Sequence, residues 1–252
     1  MYRPEGRERS IGRWPAGNSR AVPLIKGELL PPPTVTRTKM APAARNWAGF
    51  YRWTSGRPPR ELLLRTLDHV DWEGKVRRKR RAVDLGFGAG TDTLELLRRG
   101  WDVLGIDQEP AALAFLSRRV SPRLRRSLTL RTSPMEGLSL PKVDLVYASF
   151  SLPFCDPAEF PRLWATLRQA LVPGGHFSGQ LFGDRDEWAG KRPMTFHALQ
   201  QARQLTRGFR VELFRETEEE GRSFEGPKHW HYFDIILEKP RPSQSTPVPN
   251  RP

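Results

Sequence analysis

The sequence predicts an α/β fold built on a mostly parallel, doubly wound sheet. Short apolar runs alternate with helical stripes through the middle of the chain, which is the pattern of parallel strands joined by crossover helices. One of those runs passes directly into three closely spaced glycines and then a helix. The last two apolar runs have no helix between them, so they form an antiparallel pair at one edge.

The elements follow in order. Residues 1–44 are rich in Pro, Arg and Gly and show no sustained periodicity, so they read as a disordered basic extension. Met40 lies just before the first structured segment and is a second candidate for the native start. Asn46 to Thr54 is short and aromatic. Arg60 to Val70 carries a helical stripe of Leu62, Leu63, Leu64, Leu67 and Val70. Arg81 to Gly86 is a strand, Thr91 to Arg99 a helix, and Trp101 to Ile106 a strand. Pro110 opens a helix to Val120, with proline in its first turn. Strands follow at Ser127 to Arg131 and Val143 to Ser149, then a helix from Pro157 to Leu171 that Pro173-Gly174-Gly175 ends. His176 to Phe182 is a strand and Thr195 to Thr206 a helix. Phe209 to Phe214 and Trp230 to Leu237 are the closing strands, and Arg241 to Pro252 reads as a second disordered tail. One folded domain therefore spans 45–240.

The bulk properties narrow the function classes. The chain has 252 residues, with 42 Lys+Arg against 28 Asp+Glu and a formal net charge of +14. That surplus suits an anionic partner such as nucleic acid, or else a surface and tails rich in solvated arginine. The single cysteine, Cys155, leaves no disulfide framework or cysteine-based zinc site and suits a reducing compartment. No apolar run approaches the roughly 18 residues of a membrane span, and the N-terminus lacks the apolar segment of a secretory signal, so the expected location is cytoplasmic.

The sharpest motif is AVDLGFGAGTDTLELLRRG, residues 82–100. Gly86, Gly88 and Gly90 let the chain turn tightly and let a ligand approach the backbone. The next strand ends at Asp107, whose carboxylate can accept from both hydroxyls of a ribose. The spacing G-x-G-x-G differs from the dinucleotide fingerprint G-x-G-x-x-G, and Asp84 stands where a pyrophosphate would be repelled. A ligand carrying an ammonium and a sulfonium would be favoured there.

These residues resemble motif I of the class I S-adenosylmethionine-dependent methyltransferases, D/E-x-G-x-G-x-G, which here reads DLGFGAG. The resemblance continues through VLGIDQEP at 103–110 and PMEGL at 134–138, and covers roughly 45–240. It implies a Rossmann-like, seven-stranded methyltransferase sandwich, mostly parallel, with helices on both faces and an antiparallel edge strand. It also implies S-adenosyl-L-methionine as cofactor. Gly86, Gly88 and Gly90 would then line its methionine end and Asp84 would hold its amino group. Asp107 and Gln108 would hold the ribose, Met135 and Glu136 the adenine, and Ala148 and Phe150 would border it after the fourth strand. Where many family members carry Asp, this chain has Pro134, so the adenine amino group needs another acceptor.

The loop ASFSLPFCDP at 148–157 lacks the D/N-P-P-Y/F motif of amino-methyltransferases acting on bases or glutamine. It looks instead like that of bacterial small-molecule methyltransferases of the tellurite-resistance and thiopurine type, as do GRPPRELLLR, FGDRDEW, MTFH and GPKHWHYF. A small-molecule acceptor is therefore expected. Two other readings stay open: an RNA or protein methyltransferase using the basic surface, and a non-catalytic cofactor-binding protein. No metal is expected. Tyr51, among Trp47, Phe50 and Trp53, is the best candidate for a lid over the sulfonium. His229 and His231, which alternation puts on one strand face, and Asp184 are the candidate catalytic groups. Arg77-Arg78-Lys79-Arg80-Arg81 and Arg118 to Arg126 fall toward the amino ends of the strands, opposite the expected cofactor side.

Overall fold

The computed structural model describes residues 46–72 and 78–242. The two expected tails, apart from Arg241 and Pro242, and Arg77 of the basic run lie outside the described residues.

Seven strands form one continuous sheet: β1 (Arg81–Leu85), β2 (Asp102–Asp107), β3 (Leu128–Thr132), β4 (Val143–Ala148), β5 (Leu171–Gly183), β7 (Arg210–Ser223) and β8 (Gly226–Glu238), with a two-residue β6 (Phe196–His197) pairing beside the end of β5. Their order is β3-β2-β1-β4-β5-β8-β7. The first five are mutually parallel, and β8 lies antiparallel to both β5 and β7. The expected antiparallel pair at one edge is thus present, with β8 inserted between β5 and β7.

Helices cover both faces because the strands alternate apolar side chains to both. Val83, Leu85, Val146 and Phe177 pack with Leu163, Trp164 and Leu167 of α6 (Phe160–Ala170) and with Ala202 of α7 (Leu199–Leu205). On the other face Ala82, Val103, Leu145 and Tyr147 pack with α1 (Trp47–Thr54), α2 (Glu61–Trp72), α3 (Thr91–Arg98) and α4 (Pro110–Ser117). The short α5 (Pro122–Arg125) leads into β3. Trp101, 2% exposed, anchors the second cluster. Burying one such aromatic side chain stabilises by roughly 1.5–3 kcal/mol.

Three elements depart from the expectation. Pro173-Gly174-Gly175 does not separate helix from strand. It lies inside β5, where the register with β4 shifts between Val143 and Leu145, so it makes a bulge. The helix expected from Thr195 begins only at Leu199, because Phe196 and His197 pair with Phe182 and Gly183 of β5. Most consequential, β7 and β8 are far longer than their apolar cores. They form a hairpin paired from Arg210↔Glu238 out to Ser223↔Gly226, and its tip reaches the carboxyl end of the sheet.

Candidate functional site

A cavity of about 880 Å³ opens at the carboxyl ends of β1, β2 and β4 and is closed above by α1 and the hairpin tip. That volume lies within the roughly 300–1,000 Å³ of small-molecule sites. Its floor is the glycine loop. Gly86, Gly88 and Gly90 all have left-handed φ, at 72°, 53° and 73°. At Gly86 a Cβ would lie 2.4 Å from Ser151 Cβ, so only glycine lets β1 turn under the loop after β4.

Two buried carboxylates flank this loop. Asp84 is the penultimate residue of β1 and accepts a 2.6 Å hydrogen bond from the Thr93 hydroxyl. Burial pushes its pKa up to about 7, against the opposing effect of that hydrogen bond. Asp107 ends β2. Its Oδ2 accepts from the Gly88 N–H at 2.9 Å, and its Oδ1 from the Glu109 N–H at 3.0 Å and the Tyr51 hydroxyl at 3.4 Å. Burial raises its pKa, while the N–H and hydroxyl donors favour its ionised form. Tyr51 is 2% exposed and its phenol is held protonated by burial and by Asp107.

The far half of the cavity is aromatic. Phe150, after β4, is a non-glycine residue at φ 51°, and its N–H donates to Gln180 Oε1 at 3.1 Å. Gln180 Nε2 donates to Asp234 Oδ1 at 2.9 Å, and Asp234 pairs with Arg215 at 2.8 Å. This mostly buried chain holds a strained backbone at the cavity wall. The Phe150 ring meets Phe182, Trp230 and Tyr232 at centroid distances of 5.9, 6.0 and 5.2 Å. Above them Phe224, at the hairpin tip, packs on Phe50 and Trp53 of α1 at 5.9 and 5.6 Å, so hairpin and helix form one roof.

Residues 82–175 match a family model described as a methyltransferase domain. That stretch carries the sequence of a methyltransferase domain. The chain is 32% identical over 87 residues to magnesium-protoporphyrin O-methyltransferase of Rhodobacter capsulatus, an overlap covering 34% of this chain and 39% of that one. The chain spans less than half the length of the curated relatives it matches. Among solved structures, TehB from Haemophilus influenzae superposes with a TM-score of 0.57 at 15% identity, covering 69% of this chain and 61% of that one. The N-methyltransferase NodS from Bradyrhizobium japonicum superposes with a TM-score of 0.55 at 16% identity, covering 78% of this chain and all (100%) of NodS. These structural likenesses speak for the fold alone.

Of the residues expected at the cofactor, Tyr51, Asp84, Gly86, Gly88, Asp107, Gln108, Met135, Glu136 and Phe150 all line the cavity. Gly90 and Ala148 do not. Gly90 caps α3 with its Cα against Leu116, where a Cβ would come within 2.5 Å, and Ala148 is fully buried in β4. The candidate catalytic groups are corrected more sharply. His229 and His231 do share a face of β8, but the cavity faces the alternate residues Trp230 and Tyr232. His229 bonds Glu220 at 2.7 Å and Glu218 at 3.1 Å on the outer surface. His231 is fully buried, accepts from the Arg185 N–H at Nδ1, and bonds Glu216 through Nε2 at 2.9 Å. Asp184 is exposed beside Arg185 and His231. None of the three lines the cavity.

Residues not anticipated from the sequence include Arg60, Phe182, Trp188, Glu219, Trp230 and Tyr232, all on the cavity wall. Tyr232 donates to Glu219 at 3.3 Å. The signal available for the last two strands was the alternation itself, which names Trp230 and Tyr232 as a pair opposite the histidines. The two basic clusters are tied down in part. Arg78 pairs with Asp144, Lys79 with Asp102, and Arg119 donates to backbone carbonyls of Ala89 and Ser55. Arg118, Arg123 and Arg126 are exposed. Cys155 is buried and burial pushes its pKa up to about 12, which makes it a packing residue rather than a nucleophile. Among the described residues no group of His, Cys, Asp and Glu is placed to hold a metal, and no helix is long and apolar enough to cross a membrane.

Proposed function

We propose that the chain transfers a methyl group from S-adenosyl-L-methionine to a small-molecule acceptor. The observation that carries this is one cavity with an acid–glycine–acid floor at one end and an aromatic wall at the other. The residues fit the cofactor. Asp107 is fixed by two backbone N–H groups and keeps acceptor capacity for ribose hydroxyls. Asp84 is a buried carboxyl without a cationic side-chain partner in hydrogen-bond contact, suited to an ammonium group. Gly88 leaves its face of the cavity open, with Tyr51 ordinary contact distance away. Met135 and Glu136 border the adenine end.

The cofactor supplies a methyl carbon on a positive sulfur, a good leaving group. Transfer would break the S–C bond with the electron pair kept by sulfur, while a lone pair of the acceptor would form the new bond to carbon. The protein's part is to align that lone pair and to exclude water. The roof of α1 and the hairpin tip does the second, and the Phe150 wall does the first. An acceptor proton, where there is one, has the Glu219–Tyr232 pair within the cavity to receive it. The enclosed aromatic wall and the basic residues at the opposite end of the sheet favour a small acceptor over RNA or protein. A single buried cysteine suits a reducing compartment, and the cytoplasm is the location this reading assigns.

Methyl-labelled cofactor incubated with the protein and a fractionated cell extract tests this. Label should enter the low-mass fraction. Label in RNA or protein instead would shift the acceptor class, and cofactor binding with no transfer to any fraction would point to a non-catalytic cofactor-binding protein.

A further inference from the structure

The aromatic half of the cavity holds a guanidinium that the cofactor assignment leaves unused. Arg60 lines the cavity at the start of α2, with its guanidinium 4.4 Å from the centre of the Phe150 ring. Its backbone N–H is fixed by Asp92, but its side chain makes no ion pair, and its Nε is buried without a hydrogen-bond partner. The neighbouring Arg57 has taken the nearby carboxylate, pairing with Asp92 through its two terminal nitrogens at 3.0 and 2.7 Å. Burial and the repulsion from Arg57 both disfavour the charged form of Arg60. A half-buried guanidinium with a buried, unpartnered Nε, a ring on one side and no anion is an incomplete site, since burial of a cation is offset only by a paired, hydrogen-bonded partner.

Resting on the methyltransferase reading above, we propose that Arg60 receives the carboxylate of a planar aromatic acceptor, whose body lies against Phe150, Trp230 and Tyr232. The guanidinium is a planar fork that matches a carboxylate with two parallel hydrogen bonds. The rings of Phe150, Trp230 and Tyr232 offer edges and faces to a flat partner. A monoanion is favoured over a phosphate dianion because Glu219, hydrogen-bonded by Tyr232 of that wall, also lines the cavity and would repel a second negative charge. The cofactor carries a carboxylate too, so the test must separate the two sources.

The test uses the full chain saturated with S-adenosylhomocysteine. Salicylate, 4-hydroxybenzoate and indole-3-carboxylate are each titrated against their primary amides, reading tryptophan fluorescence and heat. At least one acid should bind about tenfold or more tighter than its amide. In Arg60→Met that preference should shrink to about threefold or less, while affinity for S-adenosylhomocysteine, which also reports folding, stays within about twofold. Acids that bind wild type no better than their amides overturn the proposal without any variant. So does a preference that survives in Arg60→Met. A variant that loses about tenfold for S-adenosylhomocysteine but nothing for its decarboxylated analogue assigns Arg60 to the cofactor and overturns it as well. Wild type that fails to bind S-adenosylhomocysteine refutes the methyltransferase reading itself, which is a separate failure.

Discussion

Replacing Asp107 with alanine should weaken S-adenosylhomocysteine binding by a predictable amount. In the ligand-free site the carboxylate accepts from the Gly88 and Glu109 N–H groups and, more weakly, from Tyr51. A bound ribose adds two hydroxyl donors. Hydrogen bonds to a charged acceptor contribute about 1.5–3 kcal/mol each. Non-additivity and solvent access reduce the pair to about 2–4 kcal/mol, or roughly 30- to 1,000-fold in Kd. Because Asp107→Ala also releases the Gly88 N–H, loop distortion is a competing cause. The 2′-deoxy analogue of S-adenosylhomocysteine removes it from the comparison. In wild type the missing hydroxyl should cost about tenfold, and in Asp107→Ala about twofold or less. Isothermal titration of both proteins with both ligands gives the cycle. Equal losses in the two proteins would refute the ribose assignment, as would a variant that binds within about threefold of wild type.

Gly88→Val should fold, because a Cβ there stands 3.5 Å from Tyr51, and the left-handed φ of 53° costs about 1–2 kcal/mol; cofactor binding should fall below detection by calorimetry, and normal binding would displace the site. Asp84 predicts two pH effects. Its folded pKa of about 7 lies above the ordinary carboxyl value of 3.8, so the native state binds the extra proton and stability of the ligand-free protein falls as pH rises between these values. A cofactor ammonium favours the ionised form, so affinity should rise with pH and binding near neutrality should release a proton, seen in buffers of different ionisation enthalpy. Asp84→Asn should flatten both profiles; a wild-type profile that is already flat would contradict the assignment. Gly183→Ala should destabilise by about 1–3 kcal/mol, since its Cβ would lie 2.0 Å from His231 Nδ1; thermal melting should show this with cofactor affinity unchanged.

The core of the fold was legible because its signals are local. A strand ending in DLGFGAG and another ending in Asp107 announce both their conformation and their chemistry. The long hairpin was not. Residues 215–223, RETEEEGRS, have no apolar alternation, and they are held as a strand by the ladder to β8 and by the ion pairs of Arg185, in the turn after β5, with Glu216 and Glu218. Without that hairpin the aromatic roof was invisible. The histidine pair shows a second limit. Period-two alternation separates His229 and His231 from Trp230 and Tyr232, but which set faces the cavity depends on the partners each face meets. Arg60 sits in GRPPRE, a polar stretch whose importance comes only from the distant Phe150 and from the loss of Asp92 to Arg57.

The measurement that bears most directly on the account is titration of the full chain with S-adenosylhomocysteine and, in parallel, NAD. Micromolar, one-to-one binding of the first and none of the second is the expected result, as the G-x-G-x-G floor and Asp84 favour a cationic amino acid moiety over a pyrophosphate. Binding of NAD, or of neither ligand by folded protein, would contradict the cofactor assignment on which the proposed function stands.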